Sequence, residues 1–203
     1  MIIIVDYGLG NLGSVLNMFK RIGVRACIES DPTVISNAEK IVLPGVGAFD
    51  AAMQRMNERH ELRYVLEYCA LKKKVPLLGV CLGMQLLTQG SAEGRLPGLG
   101  WIQGVAHRFP RQVGLKVPHM GWNVANPVTS SHLTKNVGLE PRYYFVHSYY
   151  VKVDDPSHCL MRSHYGGQEF DSAIGRDNIY GVQFHPEKSH RFGMQIFKNF
   201  AEL

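Results

Sequence analysis

The 203-residue chain has no long apolar run. Its opening Ile2-Ile3-Ile4-Val5 stops at Asp6, well short of a secretory signal core or of the roughly 20 apolar residues that a bilayer-spanning helix needs. Cysteine is sparse, and Cys27, Cys69, Cys81 and Cys159 fall at none of the paired spacings that mark a metal site. With no secretory signal ahead of them, a reducing, cytoplasmic setting is expected. Internal repeats, low-complexity tracts and linkers are also missing, which argues for a single domain over residues 1–203. Charge of one sign is nowhere concentrated. Residues 1–100 hold 11 Lys+Arg against 9 Asp+Glu and residues 101–203 hold 11 against 8, so the net +5 is spread evenly. That distribution argues against a nucleic-acid surface. The one basic run, Lys72-Lys73-Lys74, falls where a helix should end and complements its dipole.

A hydrophobic content of 45% supplies a real core. Over the first ninety residues, short β-branched runs alternate with amphipathic stretches, the pattern of βα units on a mostly parallel sheet. Strands are predicted at 2–5, 24–29, 41–43 and 75–80, and helices at 12–22, 50–57, 61–73 and from 82 onward. Beyond residue 95, closely spaced strands around Gly and Pro, at 99–109, 143–153 and 179–184, suggest antiparallel pairing. A helix over 190–202 closes the chain. The fold class expected is α/β, a mixed, mostly parallel central sheet flanked by helices with an antiparallel region in the C-terminal half.

Gly8-Leu9-Gly10-Asn11-Leu12-Gly13 matches the dinucleotide-binding turn, and Glu29 follows near the end of the next strand. A nicotinamide or flavin oxidoreductase is therefore a remote alternative. Against it, Asp6 and Tyr7 separate the strand from the first glycine, and a tight turn packed by its glycines explains the pattern equally.

Gly79-Val80-Cys81-Leu82-Gly83 joins a buried strand to an amphipathic stretch and reads as a cysteine nucleophile elbow. A strained turn exposes the side chain there, and a helix N-terminus favours the thiolate. A buried structural cysteine is the competing reading, and it is preferred for Cys27, Cys69 and Cys159. Downstream, His185-Pro186-Glu187 places an imidazole and a carboxylate two residues apart on an extended segment, the base and orienter that a thiol nucleophile needs. Pro44-Gly45-Val46-Gly47-Ala48-Phe49 is a glycine loop after a strand. Its backbone N–H groups, with that of Leu82, suit an oxyanion.

Together these segments resemble the class I (triad) glutamine amidotransferases, a flavodoxin-like family, and within them the glutaminase subunits of imidazole glycerol phosphate synthase. The resemblance rests on Asp6–Asn11, Pro44–Phe49, Gly79–Gln85, Pro118–Asn123, Tyr144–Tyr149 and Gly181–Ser189. It implies that Cys81 attacks the glutamine side-chain amide, with His185 as acid and base and Glu187 holding the imidazole. A thioester would form, and Gly45, Val46, Gly47 and Leu82 would hold its oxyanion. It implies that Gly47, Gln85, His147, Ser148 and Tyr149 contact glutamine, and that Trp122, Tyr144 and Lys188 face a partner near an ammonia path. It implies no cofactor and no metal. The partner implied is a (β/α)₈-barrel cyclase that uses the ammonia to make imidazole glycerol phosphate and AICAR in histidine biosynthesis. One departure stands out: His190-Arg191-Phe192 follows Ser189 where the family pattern has smaller or less basic residues. It fits equally a paralogue that supplies ammonia for amidino-sugar synthesis in surface polysaccharide.

Overall fold

The computed structural model describes residues 1–110 and 113–203. Strands β1 (Ile2–Val5), β2 (Ala26–Glu29), β3 (Lys40–Gly45) and β4 (Leu77–Cys81) alternate with helices α1 (Leu12–Arg21), α2 (Pro32–Ile35), α3 (Phe49–Glu58) and α4 (His60–Glu67). A π-helical turn, Tyr68–Lys72, prolongs α4, and the short α5 (Leu82–Leu86) follows β4 without a break. The second half holds β5 (Gly90–Ser91), β6 (Gly104–Arg108), β7 (His119–Val124), β8 (Asn126–Pro127), β9 (Arg142–His147), β10 (Tyr149–Val153), β11 (Cys159–Tyr165), β12 (Gln168–Arg176) and β13 (Ile179–Val182). Helix α6 (His190–Ala201) ends it.

The main sheet runs β2-β1-β3-β4-β13-β12-β11-β8. Its first five strands pair in parallel and the remainder antiparallel. The 179–184 segment thus departs from expectation on one side: β13 is antiparallel to β12 but parallel to β4. Alternation along each parallel strand divides the core between the two faces. Ile3, Val5, Ile41, Leu43 and Leu77 pack on one side, and Ile2, Ile4, Val42 and Leu78 on the other. Burial on both faces is why these strands read as unbroken apolar runs. Two smaller sheets, β10-β6-β5 and the ribbon β7-β9, lie beside the main one.

Helix α1 shows how the covering helices are specified: Val15, Met18 and Phe19 share its buried face at helical spacing. Phe19 meets Phe197 of α6 at 4.5 Å between ring centroids. Among the described residues, no helix is long and apolar enough to cross a membrane.

The parallel strands deliver their C-terminal ends to one edge of the sheet, where ligands bind in open α/β folds. Gly45 at the end of β3 pairs in register with Cys81 at the end of β4. Their neighbour β13 ends at Val182, and the chain runs on through Gln183 to His185. Three distant stretches of sequence therefore converge within the width of three strands.

Candidate active site

Cys81 stands between β4 and α5 with φ +55° and ψ −110°, a left-handed conformation that non-glycine residues rarely adopt. Two glycines make the sharp turn possible. A Cβ on Gly83 would lie 1.9 Å from the carbonyl oxygen of Leu43, and one on Gly79 would lie 2.6 Å from that of Gly83. The helix therefore folds back against its own strand and against β3. Cys81 is only 8% exposed, yet it lines an open cleft of about 330 Å³.

His185 faces the same cleft. Its Nδ1 lies 2.8 Å from Oε1 of Glu187, and both side chains are buried. The route to this pairing differs from the alternating-strand expectation, because Pro186–Lys188 is a 3₁₀ turn with His185 as its cap. A turn, rather than an extended segment, brings the carboxylate back to the ring. His185 Nε2 is buried without a hydrogen-bond partner among the described residues, which leaves it free for a proton in transit. Burial alone would push the imidazole pKa down. The Cys81 sulfur and the Glu187 carboxylate outweigh it and raise the pKa to about 10, which makes the ring a strong proton acceptor beside the thiol.

The other cysteines keep their structural reading. Cys69 and Cys159 are buried, and burial, with the Asp171 carboxylate second, pushes the Cys159 thiol up to about 12. Cys27 is half-buried and likewise raised, first by burial.

The cleft is lined by Val46, Gly47, Leu82, Gln85, His147, Ser148 and Tyr149 from the expected set. Gly45 lies beneath it, buried against Leu82 and the Tyr7 hydroxyl with no room for a side chain. Val46 is 41% exposed and Gly47 has φ +106°, so the loop turns at the cleft wall in a conformation that favours glycine. Gln85 donates to the Tyr149 carbonyl at 3.2 Å and to Gln183 Oε1 at 3.0 Å. Trp122, Tyr144 and Lys188 do not line the cleft. They form a neighbouring surface in which Trp122, 47% exposed, meets Tyr144 edge to face at 6.3 Å. The Lys188 ammonium sits 5.7 Å from the Tyr144 ring.

Three residues escaped the sequence reading. Glu93 lines the cleft and accepts the Phe49 N–H at 2.9 Å, which ties the glycine loop's exit to the segment after β5. Asp50 reinforces that tie by accepting the N–H groups of Arg95 and Leu96. Gln183, fully buried, places its Nε2 3.8 Å from the Cys81 sulfur. A glutamine just before a His-Pro-Glu turn carries no local signal of that contact.

The Gly8–Gly13 turn is occupied by the protein itself. A Cβ on Gly8 would strike the Arg55 guanidinium at 2.5 Å, Arg59 donates to the Asp6 and Ser30 carbonyls, and Tyr7 is buried. Arg55 and Arg59 thus pack against this turn, so contacts within the chain account for its glycines. Among the described residues, no group of three or more His, Cys, Asp or Glu side chains is placed to hold a metal ion.

The profile of the family described as Glutamine amidotransferase class-I matches residues 3–203. The Pseudomonas aeruginosa protein named imidazole glycerol phosphate synthase subunit HisH 2 is 50% identical over the full length of both chains. The imidazole glycerol phosphate synthase subunit HisH of Bdellovibrio bacteriovorus is 48% identical, again over the full length of both. A solved structure titled as that of a glutamine amidotransferase superposes with a TM-score of 0.76 at 16% identity, covering all of this chain and 98% of the other. That likeness establishes the same fold.

Proposed function

The chain belongs to the class-I glutamine amidotransferase family, and on that premise we propose that it is the glutaminase subunit of an imidazole glycerol phosphate synthase, with Cys81, His185 and Glu187 as its catalytic triad. The observation that carries this reading is the buried His185–Glu187 pair, 2.8 Å apart, facing a cleft that also holds a strained elbow cysteine.

The chemistry follows from the charges. His185 takes the Cys81 thiol proton as the sulfur attacks the side-chain amide carbon of L-glutamine. Leu82 N–H and the backbone of Gly45, Val46 and Gly47 receive the oxyanion as the 44–49 loop settles over it. His185 Nε2 gives its proton to the departing nitrogen, so ammonia leaves and a thioester remains. Water deprotonated by His185 then attacks the thioester, glutamate leaves, and His185 returns a proton to the Cys81 sulfur. Glu187 holds the ring in place throughout.

The same cleft suits the substrate's other end. Glu93 is its one carboxylate besides the triad and pairs with the α-ammonium. Gln85 spends both amide hydrogens on Tyr149 and Gln183, which leaves its oxygen as the acceptor for a ligand. The backbone at His147, Ser148 and Tyr149 forms the opposite wall.

Ammonia in water at neutral pH is mostly ammonium and a poor nucleophile. A partner must therefore receive it directly, and the relatives are named as subunits. The partner in this reading is a (β/α)₈-barrel cyclase docked on the Trp122–Tyr144–Lys188 face, turning the ammonia into imidazole glycerol phosphate and AICAR. His190, the first residue of the departing His-Arg-Phe stretch, stacks on Trp122 with ring centroids 5.5 Å apart and planes 8° apart. The departure thus sits on the docking face, which favours a second reading: a paralogous synthase of amidino-sugars as the partner of the same glutaminase.

The test is to purify the chain with each candidate partner and assay glutamate release. A glutamine-analogue diazoketone should label Cys81. Cys81→Ala should cut glutamine-dependent turnover by more than about 10⁴-fold while added ammonium still drives the partner. Labelling elsewhere, or glutaminase activity that survives Cys81→Ala, overturns the assignment.

A further inference from the structure

We propose that His119 is a positioning residue for glutamine binding, acting through a one-directional hydrogen-bond chain from Asn123 through His119 and His147 to the Tyr149 carbonyl. The proposal rests on the glutaminase reading above for its kinetic consequence and on geometry for its existence.

The direction of the chain is fixed independently at both ends. At one end, His147 Nδ1 lies 2.7 Å from the Tyr149 carbonyl oxygen, which only accepts, so that nitrogen carries a proton. In the neutral ring Nε2 must then accept, and it lies 2.9 Å from His119 Nδ1, which therefore donates. At the other end, Asn123 Oδ1 accepts the Val124 N–H at 2.8 Å, which fixes the orientation of the amide. Asn123 Nδ2 gives one hydrogen to the His164 carbonyl at 2.9 Å and faces His119 Nε2 at 3.3 Å with the other. His119 Nε2 must accept, so Nδ1 again carries the proton. Both derivations give the same tautomer, and no atom in the chain is left without a complementary partner.

A cationic form has no such solution. Protonating His147 turns its Nε2 into a donor, His119 Nδ1 into an acceptor and His119 Nε2 into a donor that faces the Asn123 amide hydrogen. Both rings are buried, and burial holds both pKa values below the usual histidine range.

The chain ends on atoms that matter. The Tyr149 carbonyl also receives Gln85 Nε2, and Gln85 reaches Gln183, whose amide lies against the Cys81 sulfur. One acceptor thus joins the two walls of the cleft, and His147 holds it from behind. At its far end the chain starts on β7, the strand that carries Trp122. His119 is also packed tightly, stacked 4.0 Å from Tyr165 and 4.9 Å from Phe145 between ring centroids. Packing and hydrogen bonding are therefore the two roles an experiment must separate.

The test uses the chain in complex with its synthase partner and two substitutions with opposite losses. His119→Phe keeps the stacked ring and removes the donor. His119→Asn keeps an N–H near the Nδ1 position and removes the ring. Positioning predicts that His119→Phe raises KM for glutamine about tenfold, the worth of one net hydrogen bond, with kcat little changed. His119→Asn should stay within about threefold of the parent KM. Because KM does not depend on the fraction of folded enzyme, a merely destabilised variant does not imitate this pattern. An unchanged KM in His119→Phe, or an equal rise in His119→Asn, overturns the proposal. Nitrogen-15 spectra of ring-labelled protein give the second readout: Nδ1–H tautomers are expected for both His119 and His147, and a proton on His147 Nε2 at neutral pH refutes the chain. If the parent complex releases no glutamate, the glutaminase reading fails while the tautomers still decide the relay.

Discussion

The backbone N–H of His185 donates to the carbonyl oxygen of Tyr144 at 2.9 Å. The Ser189 hydroxyl closes a ring around this bond, accepting the Tyr144 N–H at 2.9 Å and donating to the His185 carbonyl at 2.6 Å. The residue that carries the base is thereby clamped to the ribbon that carries Trp122. In the proposed function, a displacement of the docking face would reach His185 through this one backbone hydrogen bond and the bridging Ser189 hydroxyl, a short path by which partner binding would be coupled to glutaminase turnover.

Ser189→Ala tests that clamp. It removes a fully buried hydroxyl and leaves the partly buried Tyr144 N–H without its acceptor, at a cost of about 1–3 kcal/mol. The expected outcome is a lower unfolding midpoint together with a weaker stimulation of glutamate release by the liganded partner. Stimulation identical to the parent's would show that the clamp is structural only.

Glu187→Gln keeps the shape of the triad and removes its charge. The His185 imidazolium, raised by the Cys81 sulfur and by Glu187 against the burial that lowers it, then loses one of its two supports. A drop in kcat of about 10²–10⁴-fold is expected, as for other orienting carboxylates, and the His185 ring titration should move down toward neutral pH. Proton NMR of the ring and the pH profile of glutamate release check both. A ring that titrates as in the parent would assign its charge to Cys81 alone.

The residues of the proposed triad are legible because each sits in a short pattern with local meaning: an elbow cysteine between glycines, and an imidazole two residues before a carboxylate. The His185–Glu187 contact is made by a 3₁₀ turn that starts at Pro186 and not by the extended segment that the two-residue spacing predicts. The parallel half of the sheet is read from its apolar runs. The β11–β12 hairpin is not, because Cys159–Tyr165 holds no β-branched residue and only Gly166-Gly167 signals the turn. Glu93, Gln183 and Ser189 act through partners 44, 102 and 45 residues away, so these contacts are not readable from adjacent residues even though Gln183 and Ser189 lie in the Gly181–Ser189 segment that carries the resemblance.

Gly83→Ala probes the elbow's packing. The added methyl would fall 1.9 Å from the Leu43 carbonyl, a backbone atom inside the sheet that has no rotamer to relax into. Either α5 lifts away from β3 or the sheet distorts, and both displace Cys81. A loss of about 3 kcal/mol or more in unfolding free energy is expected, measured by denaturant titration. Glutaminase activity should fall further than the folded fraction explains. Parent-like stability would mean that the strand-to-helix turn is looser than its backbone contacts indicate.

The buried histidine pair makes a prediction about acid stability whose sign is set by the direction of the shifts. Burial lowers His119 to about 4 and His147 to about 3, the latter also through the neighbouring His119 and His185 and against the raising effect of its bond to Tyr149. An unfolded chain takes up a proton on each ring near pH 6.5, whereas the folded protein does not until far lower. The stability tied to the neutral pair is therefore complete above about pH 6.5 and is lost as the pH falls toward 4 and then 3, by up to about 1.4 kcal/mol per pH unit for each ring. His185, raised to about 10, acts in the opposite window: its contribution is complete below about pH 6.5 and fades as the pH rises toward 10, so it adds no acid slope. Urea unfolding at stepped pH should accordingly show a shallower loss between pH 6.5 and 4 in His119→Phe than in the parent. The difference in slope should approach one proton. Equal slopes would mean that His119 is already protonated in the folded protein, and then the directed chain to Tyr149 would not exist.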